Sequence, residues 1–189
     1  MTPILGIMAS SRLVASTAFE SIATTTVGSG GAANITFSSI AATYTHLQIR
    51  GIIRGTTATP DYNGLRIQLN GDTGSNYAWH ELVGSGATAA AYSGSSTTYM
   101  DDIGILTGGT NTANIFGANI IDILDYASTT KTKTVRSLSG QDSNNTYGAI
   151  RLSSGLWNST SAVTSIKLFY GASSTIAEYS SFALYGIKS

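Results

Sequence analysis

The sequence contains no cysteine, which removes disulfides, thiol catalysis and every zinc site that needs sulfur. Charged residues make up 11% of the chain, against about 25% in an average domain, and this scarcity excludes long charged helices. Neither sign dominates, since 10 Lys and Arg balance 10 Asp and Glu. Nucleic-acid binding rests on a surplus of basic residues, and Arg50, Arg54 and Arg66 form the only local concentration, so DNA and RNA are not expected partners. No apolar run approaches the roughly 18 to 20 residues that cross a bilayer, and the first residues lack the basic start of a secretory signal. A membrane is likewise not an expected partner, and the expected chain is cytosolic. What is abundant is small and β-compatible: 26 Ser, 26 Thr and 21 Gly stand beside only 2 Pro, a composition of β-rich, turn-rich proteins. Three Asn-x-Ser/Thr sequons, at Asn34, Asn144 and Asn158, are what chance supplies in such a chain. At 189 residues, folding buries about 70% of the unfolded surface, enough for one core without covalent staples.

Residues 1–18 pair a short apolar piece, containing Ile4, Leu5, Ile7 and Met8, with a second containing Leu13 and Val14. They read as an extended arm, too short to be a domain. From Phe19 to the end, short β-type runs alternate with Gly, Asn, Asp and Ser at spacings of about ten residues. The expected fold is therefore all-β: an antiparallel, jelly-roll-like β-sandwich of about ten strands over 19–189, preceded by the arm. The runs 22–27 and 33–37 flank Gly28-Ser29-Gly30-Gly31 and read as a hairpin. Leu47 and Ile49 alternate with polar neighbours and should face the core. Leu65, Ile67 and Leu69 repeat the pattern, ending at the Asn70-Gly71-Asp72 turn. Further strands are expected over 77–83, 99–106, 114–124, 131–138, 149–157, 163–170 and 177–187, while the Ala-rich stretch 87–92 reads as loop, too short for a stable helix.

Chemistry is hard to find. Gly28 to Ala33 matches the G-x-G-x-x-A dinucleotide fingerprint, but Asn34-Ile35-Thr36-Phe37 is strand-like where a helix must start. Asn70 to Asn76 resembles the opening of a calcium loop, yet its fifth position is Gly74 and its sixth is Ser75. The pairs Asp101-Asp102 and Asp122 with Asp125 read as solvated turn or strand-end residues. His46 and His80 are the only histidines, each lies within an expected strand, and no G-x-S-x-G elbow accompanies them. No catalytic, cofactor-binding or metal-ligating residue is assigned. Tyr62, Tyr77, Trp79 and Trp157 are candidates for stacking on sugar rings, beside the alternative that they fill the core or a subunit interface.

Several segments carry a resemblance. The opening Met1-Thr2-Pro3-Ile4-Leu5-Gly6-Ile7, the run from Phe19 to Gly28, the strand Tyr44 to Gly51, the turn Asn70 to Tyr77 and the closing Phe182 to Ile187 together resemble a group of tailed-bacteriophage virion proteins. The resemblance implies a non-enzymatic β-sandwich component of the particle. Its leading form is a capsid decoration or cement protein that is a homotrimer and grips the major capsid protein or a neighbouring virion protein through Ile4, Leu5, Ile7, Met8, Leu13 and Val14. The alternative is a tail-fibre or receptor-binding module that holds host glycans through the loop aromatics.

Overall fold

A computed structural model describes residues 18–86, 88–144, 147–171 and 174–188. The residues of the arm from 1 to 17, including all six of its candidate contacts, lie outside the described residues. Twelve strands and no helix are found among the described residues. They are β1 (Phe19–Thr26), β2 (Asn34–Phe37), β3 (His46–Ile53), β4 (Tyr62–Leu69), β5 (Tyr77–Ser85), β6 (Thr88–Thr97), β7 (Met100–Thr107), β8 (Gly117–Leu124), β9 (Lys133–Gln141), β10 (Ala149–Trp157), β11 (Ile166–Phe169) and β12 (Ser181–Ile187). They form two antiparallel sheets. The larger has the order β1-β12-β3-β8-β9-β10-β5-β6 and the smaller β2-β11-β4-β7, so the chain is a β-sandwich.

The core lies between the sheets. Leu65, Ile67 and Leu69 of β4 have no exposed surface, and they meet Leu47, Ile49, Ile121, Ile123 and Val135 from the large sheet. The alternation read from the sequence therefore orients β3 and β4 as expected: with a side-chain period of two, one face of each strand is dry. Ile166 and Leu168 on β11, and Ile35 and Phe37 on β2, complete the small sheet's inner face.

Two local expectations are corrected. The glycine turn exists, with Gly30 and Gly31 at φ 90° and 76°, but it does not close a hairpin. β1 pairs with β12 in the large sheet and β2 with β11 in the small one, so the turn carries the chain from one sheet to the other. A glycine pair permits a reversal without specifying its pairing partner. The stretch expected as loop supplies the first half of strand β6, residues 88–92, joined to β5 by a short turn at Gly86. Its alanines carry no period-two signal because β6 is the rim of the sheet, where most of its side chains remain in solvent.

Candidate functional site

The two outer faces differ in chemistry. On the small sheet the outer face is polar and charged: Arg66 pairs with Asp101 at 3.0 Å and lies over Tyr99, and Lys167 lies over Phe169. On the large sheet it is apolar over most of its width. The strand registers align Ile52, Ala118, Gly140, Ile150, Gly84 and Ala89 in one row crossing β3, β8, β9, β10, β5 and β6. The adjacent row runs Ala183, Arg50, Ile120, Leu138, Leu152, Leu82 and Ala91. These are exposed side chains: Ile150 keeps 61% of its surface, and Ile52, Leu82 and Leu152 each keep more than half. The small residues at Ala118, Gly140 and Ala183, rimmed by Ile52, Ile120, Leu138 and Ile150, leave an open depression of about 660 Å³.

At β10 and its neighbours the inner side carries a cluster of polar groups instead. On β10, Arg151 and Ser153 point inward while Ile150 and Leu152 point out. Arg151 is held in place by its partners: Glu81 lies 2.5 Å from its Nε, off the hydrogen-bond axis, Asp102 lies 2.8 Å from its Nη1, and the same nitrogen donates to the Gly104 carbonyl. Asp102 reaches it through a β-bulge. Three residues of β7, Asp101 to Ile103, stand opposite Arg66 alone, and the extra length turns Asp102 away from the small sheet's outer face. Gly64 beside it leaves the room, since a Cβ there would sit 1.9 Å from the carboxylate. Ser153 donates to the Asp102 carbonyl at 2.7 Å, and Asn119 bonds both the Ile105 amide and its carbonyl. Burial pushes Glu81 up to about 7, against the pull of Arg151. Burial also raises Asp102, again opposed by Arg151. This cluster joins β10, β5 and β7 inside the sandwich, so Asp102 is an interior ion partner rather than the solvated strand-end residue its sequence suggested.

The remaining sequence candidates are dispersed. Tyr77 and Trp157 are core residues, stacked on one another, so neither ring offers a face to a sugar. The Tyr77 hydroxyl accepts from the Leu69 amide and shares its one proton between the carbonyls of Asp72 and Leu69, and the Trp157 indole donates to Asp72. Trp79 is half-buried against the core and close to Gly94, and Tyr62 is half-buried over Arg151. The four aromatics do not assemble into one platform. In the calcium-like turn, the Asp72 carboxylate accepts from the Gly74 amide, the Asn76 side chain and Trp157, and these donors, Trp157 foremost, hold its pKa below the usual value. That turn is a structural brace. Of the three arginines, Arg50 lies on the large sheet's outer face, Arg66 on the small one's, and Arg54 donates to the carbonyls of Gly109, Asn111, Thr112 and Ile115, fastening the loop before β8. His46 accepts from the Asp125 amide through Nδ1, and His80 is exposed on β5. Asp122 pairs with Arg136, and Asp125 with Lys131.

The apolar face is the feature that sequence reasoning missed. Its signal was present in Ile150, Leu152 and Leu156, but period-two alternation says only that these share a side, not which side is wet. Comparison with protein-family models, with curated proteins and with solved structures finds no match to this chain.

Proposed function

We propose that this protein is a non-enzymatic structural component of a tailed-phage virion, in the manner of a capsid decoration or cement protein, assembled in the host cytoplasm. The observation that carries the assembly role is the apolar outer face of the large sheet, with Ile52, Ile120, Leu138, Ile150, Leu152 and Leu82 exposed across five strands. Large contiguous apolar surface on a folded chain marks a place where another surface is met. The virion context comes from the sequence resemblance, as does the expected homotrimer.

In this reading the arm and the sandwich have separate tasks. Ile4, Leu5, Ile7, Met8, Leu13 and Val14 anchor the chain to the major capsid protein or a neighbouring virion protein. Each such side chain contributes about 1.5–3 kcal/mol on burial, before ordering costs. The sandwich self-associates, so that several arms act together and the effective concentration of the second and third raises avidity. A formal net charge of zero keeps closely spaced copies from repelling one another.

Copy number in purified particles, measured by quantitative mass spectrometry, tests the assignment. Hundreds of copies are expected for a shell component; a few to a few dozen place the chain in the tail, and absence from particles overturns the reading. Removing residues 1–11 should abolish attachment and leave the sandwich folded by circular dichroism. Attachment at wild-type occupancy without those residues would remove the anchoring role.

A further inference from the structure

We infer that the outer face of the eight-stranded sheet is covered by a second copy of this chain. The inference rests on the reading of the protein as an assembly component and assigns the surface through which its copies meet.

Size is the first argument. Eight strands about 4.8 Å apart, each about eight residues long at about 3.3 Å per residue, present a face of about 1,000 Å². A stable interface takes about 800 Å² from each partner, so this one face suffices. Its two rows, apolar except for Arg50, cross six strands and occupy about 400 Å², as large as the whole apolar patch of an ordinary monomer. The apolar rows lie toward one end of the strands and the charged row of Gln48, Asp122 and Arg136 lies beside them, the arrangement of an interface core and its rim.

Charge is the second argument, and it selects the occupant. The carboxylate on this face, Asp122, is paired within it, and Arg50 is held by an amide and two rings. Arg136 meets Asp122 at 3.0 Å, Gln48 donates to the same carboxylate at 2.8 Å, and Arg50 donates to Gln48 at 2.9 Å while lying over the rings of Phe19 and Tyr185. A polyanion or an acidic peptide would have to break these pairs to gain a contact. A second copy brings the same Asp122–Arg136 pair and the same apolar rows, in a two-fold contact additional to any three-fold one, and the chain's net charge of zero adds no repulsion. The depression around Ala118 and Gly140 gives projecting leucine and isoleucine side chains of the partner a place to pack.

The test is the association state of the full chain by analytical ultracentrifugation, from about 1 to 100 µM, beside a Leu138→Lys/Leu152→Lys variant. Both side chains are half-exposed, so the substitutions leave the core alone. The full chain should associate, and the variant should dissociate with an apparent Kd raised about 30-fold or more, the scale of losing one central interface residue. Circular dichroism and the urea midpoint establish that the variant is folded. Should it misfold, a Leu138→Cys chain, whose thiol is the sole one in a cysteine-free sequence, reports instead: short bis-maleimide cross-linkers should join copies through it. A full chain that is monomeric at 100 µM overturns the inference. So does a folded variant that associates as tightly as wild type, or association lost only when residues 1–17 are removed, which would make the arm the contact. These solution measurements involve no virion. A chain that associates through this face yet is absent from particles keeps the inference and refutes the proposed function, and a virion component whose variant still associates does the reverse.

Discussion

Replacing Arg151 by Met should destabilise the protein by an amount that depends on pH. Arg151 is buried at 5% exposure between Glu81 and Asp102, and methionine keeps the length of its stem while removing the charge. Taking away one member of a buried ionic group costs about 3–5 kcal/mol when the charges left behind stay ionised. Here they need not. Glu81 already titrates near 7 with Arg151 present, above its ordinary value of 4.5, so the folded protein holds that proton more tightly than the unfolded chain. The stability associated with Glu81 is therefore greatest below about pH 4.5, falls as pH climbs toward 7 and is level beyond, and Asp102, also raised by burial, acts in the same direction. Without Arg151 both carboxyls move further up and the window of loss extends past neutrality. Urea denaturation followed by tryptophan fluorescence should give a difference from wild type of about 3–5 kcal/mol at pH 9. At pH 5, where protonation relieves the unpaired charge, the difference should be about 1–2 kcal/mol. The Glu81→Gln/Arg151→Met double variant should fall short of the sum of its parts by about 1–3 kcal/mol, the coupling of groups in contact. A difference unchanged from pH 5 to pH 9, or strict additivity, would refute the account of a charge cluster held together by Arg151.

Three other substitutions test separate parts of the fold. Ile67→Asp places an unpaired carboxylate at a site with no exposed surface, and should cost more than about 4 kcal/mol, seen as loss of the β spectrum in circular dichroism; a folded variant would contradict the packing of β4. Lys133 is fully buried and its Nζ donates to the carbonyls of Ser128, Lys131 and Thr160, at 2.7, 2.7 and 3.2 Å, so Lys133→Met should cost about 3 kcal/mol in urea by leaving them without a donor. Unchanged stability would show that this lysine is not the fastener of the 128–131 turn. Asp72→Ala leaves the buried Trp157 indole unpaired and should cost about 2 kcal/mol at pH 7. Because the folded protein lowers the Asp72 pKa, its contribution is present above about pH 4 and lost as pH falls through the folded value; the variant should lack that acid-side loss, and a wild-type-like acid limb would exclude Asp72 as its source.

Much of the fold was legible before any coordinates, and particular residues show why. Leu47 with Ile49, and Leu65 with Ile67 and Leu69, sit in strands whose two faces differ sharply in polarity, so the period of two both identifies and orients them. Asn70-Gly71 ends β4 where it was expected to, because Asn and Gly accept the positive φ, 53° and 66°, that the turn requires. β6 was illegible because an edge strand of Thr, Ala, Ser and Gly with one exposed tyrosine has nothing to hide, and its identity comes from the hydrogen bonds of β5. The aromatics were ambiguous for a related reason: Tyr77 and Trp157 each have a polar tip, and only the fold shows that the tips meet Leu69 and Asp72 inside rather than a ligand outside.

The sequence by itself determined an all-β chain with one domain's worth of core and no thiol chemistry, and it located most strands to within a few residues. These properties follow from local interactions, since alternation and turn chemistry act over two to four residues. Only the tertiary structure decided which strands are neighbours, as when β1 and β2, adjacent in the chain, entered different sheets. It alone decided the two sides of β10, sending Arg151 and Ser153 inward and Ile150 and Leu152 outward. An inward arginine becomes favourable only where Glu81 from β5 and the bulged Asp102 of β7 converge on it, and those residues lie 70 and 49 positions away along the chain. No local pattern records such a convergence, and on β10 it leaves Ile150 and Leu152 on the outer face.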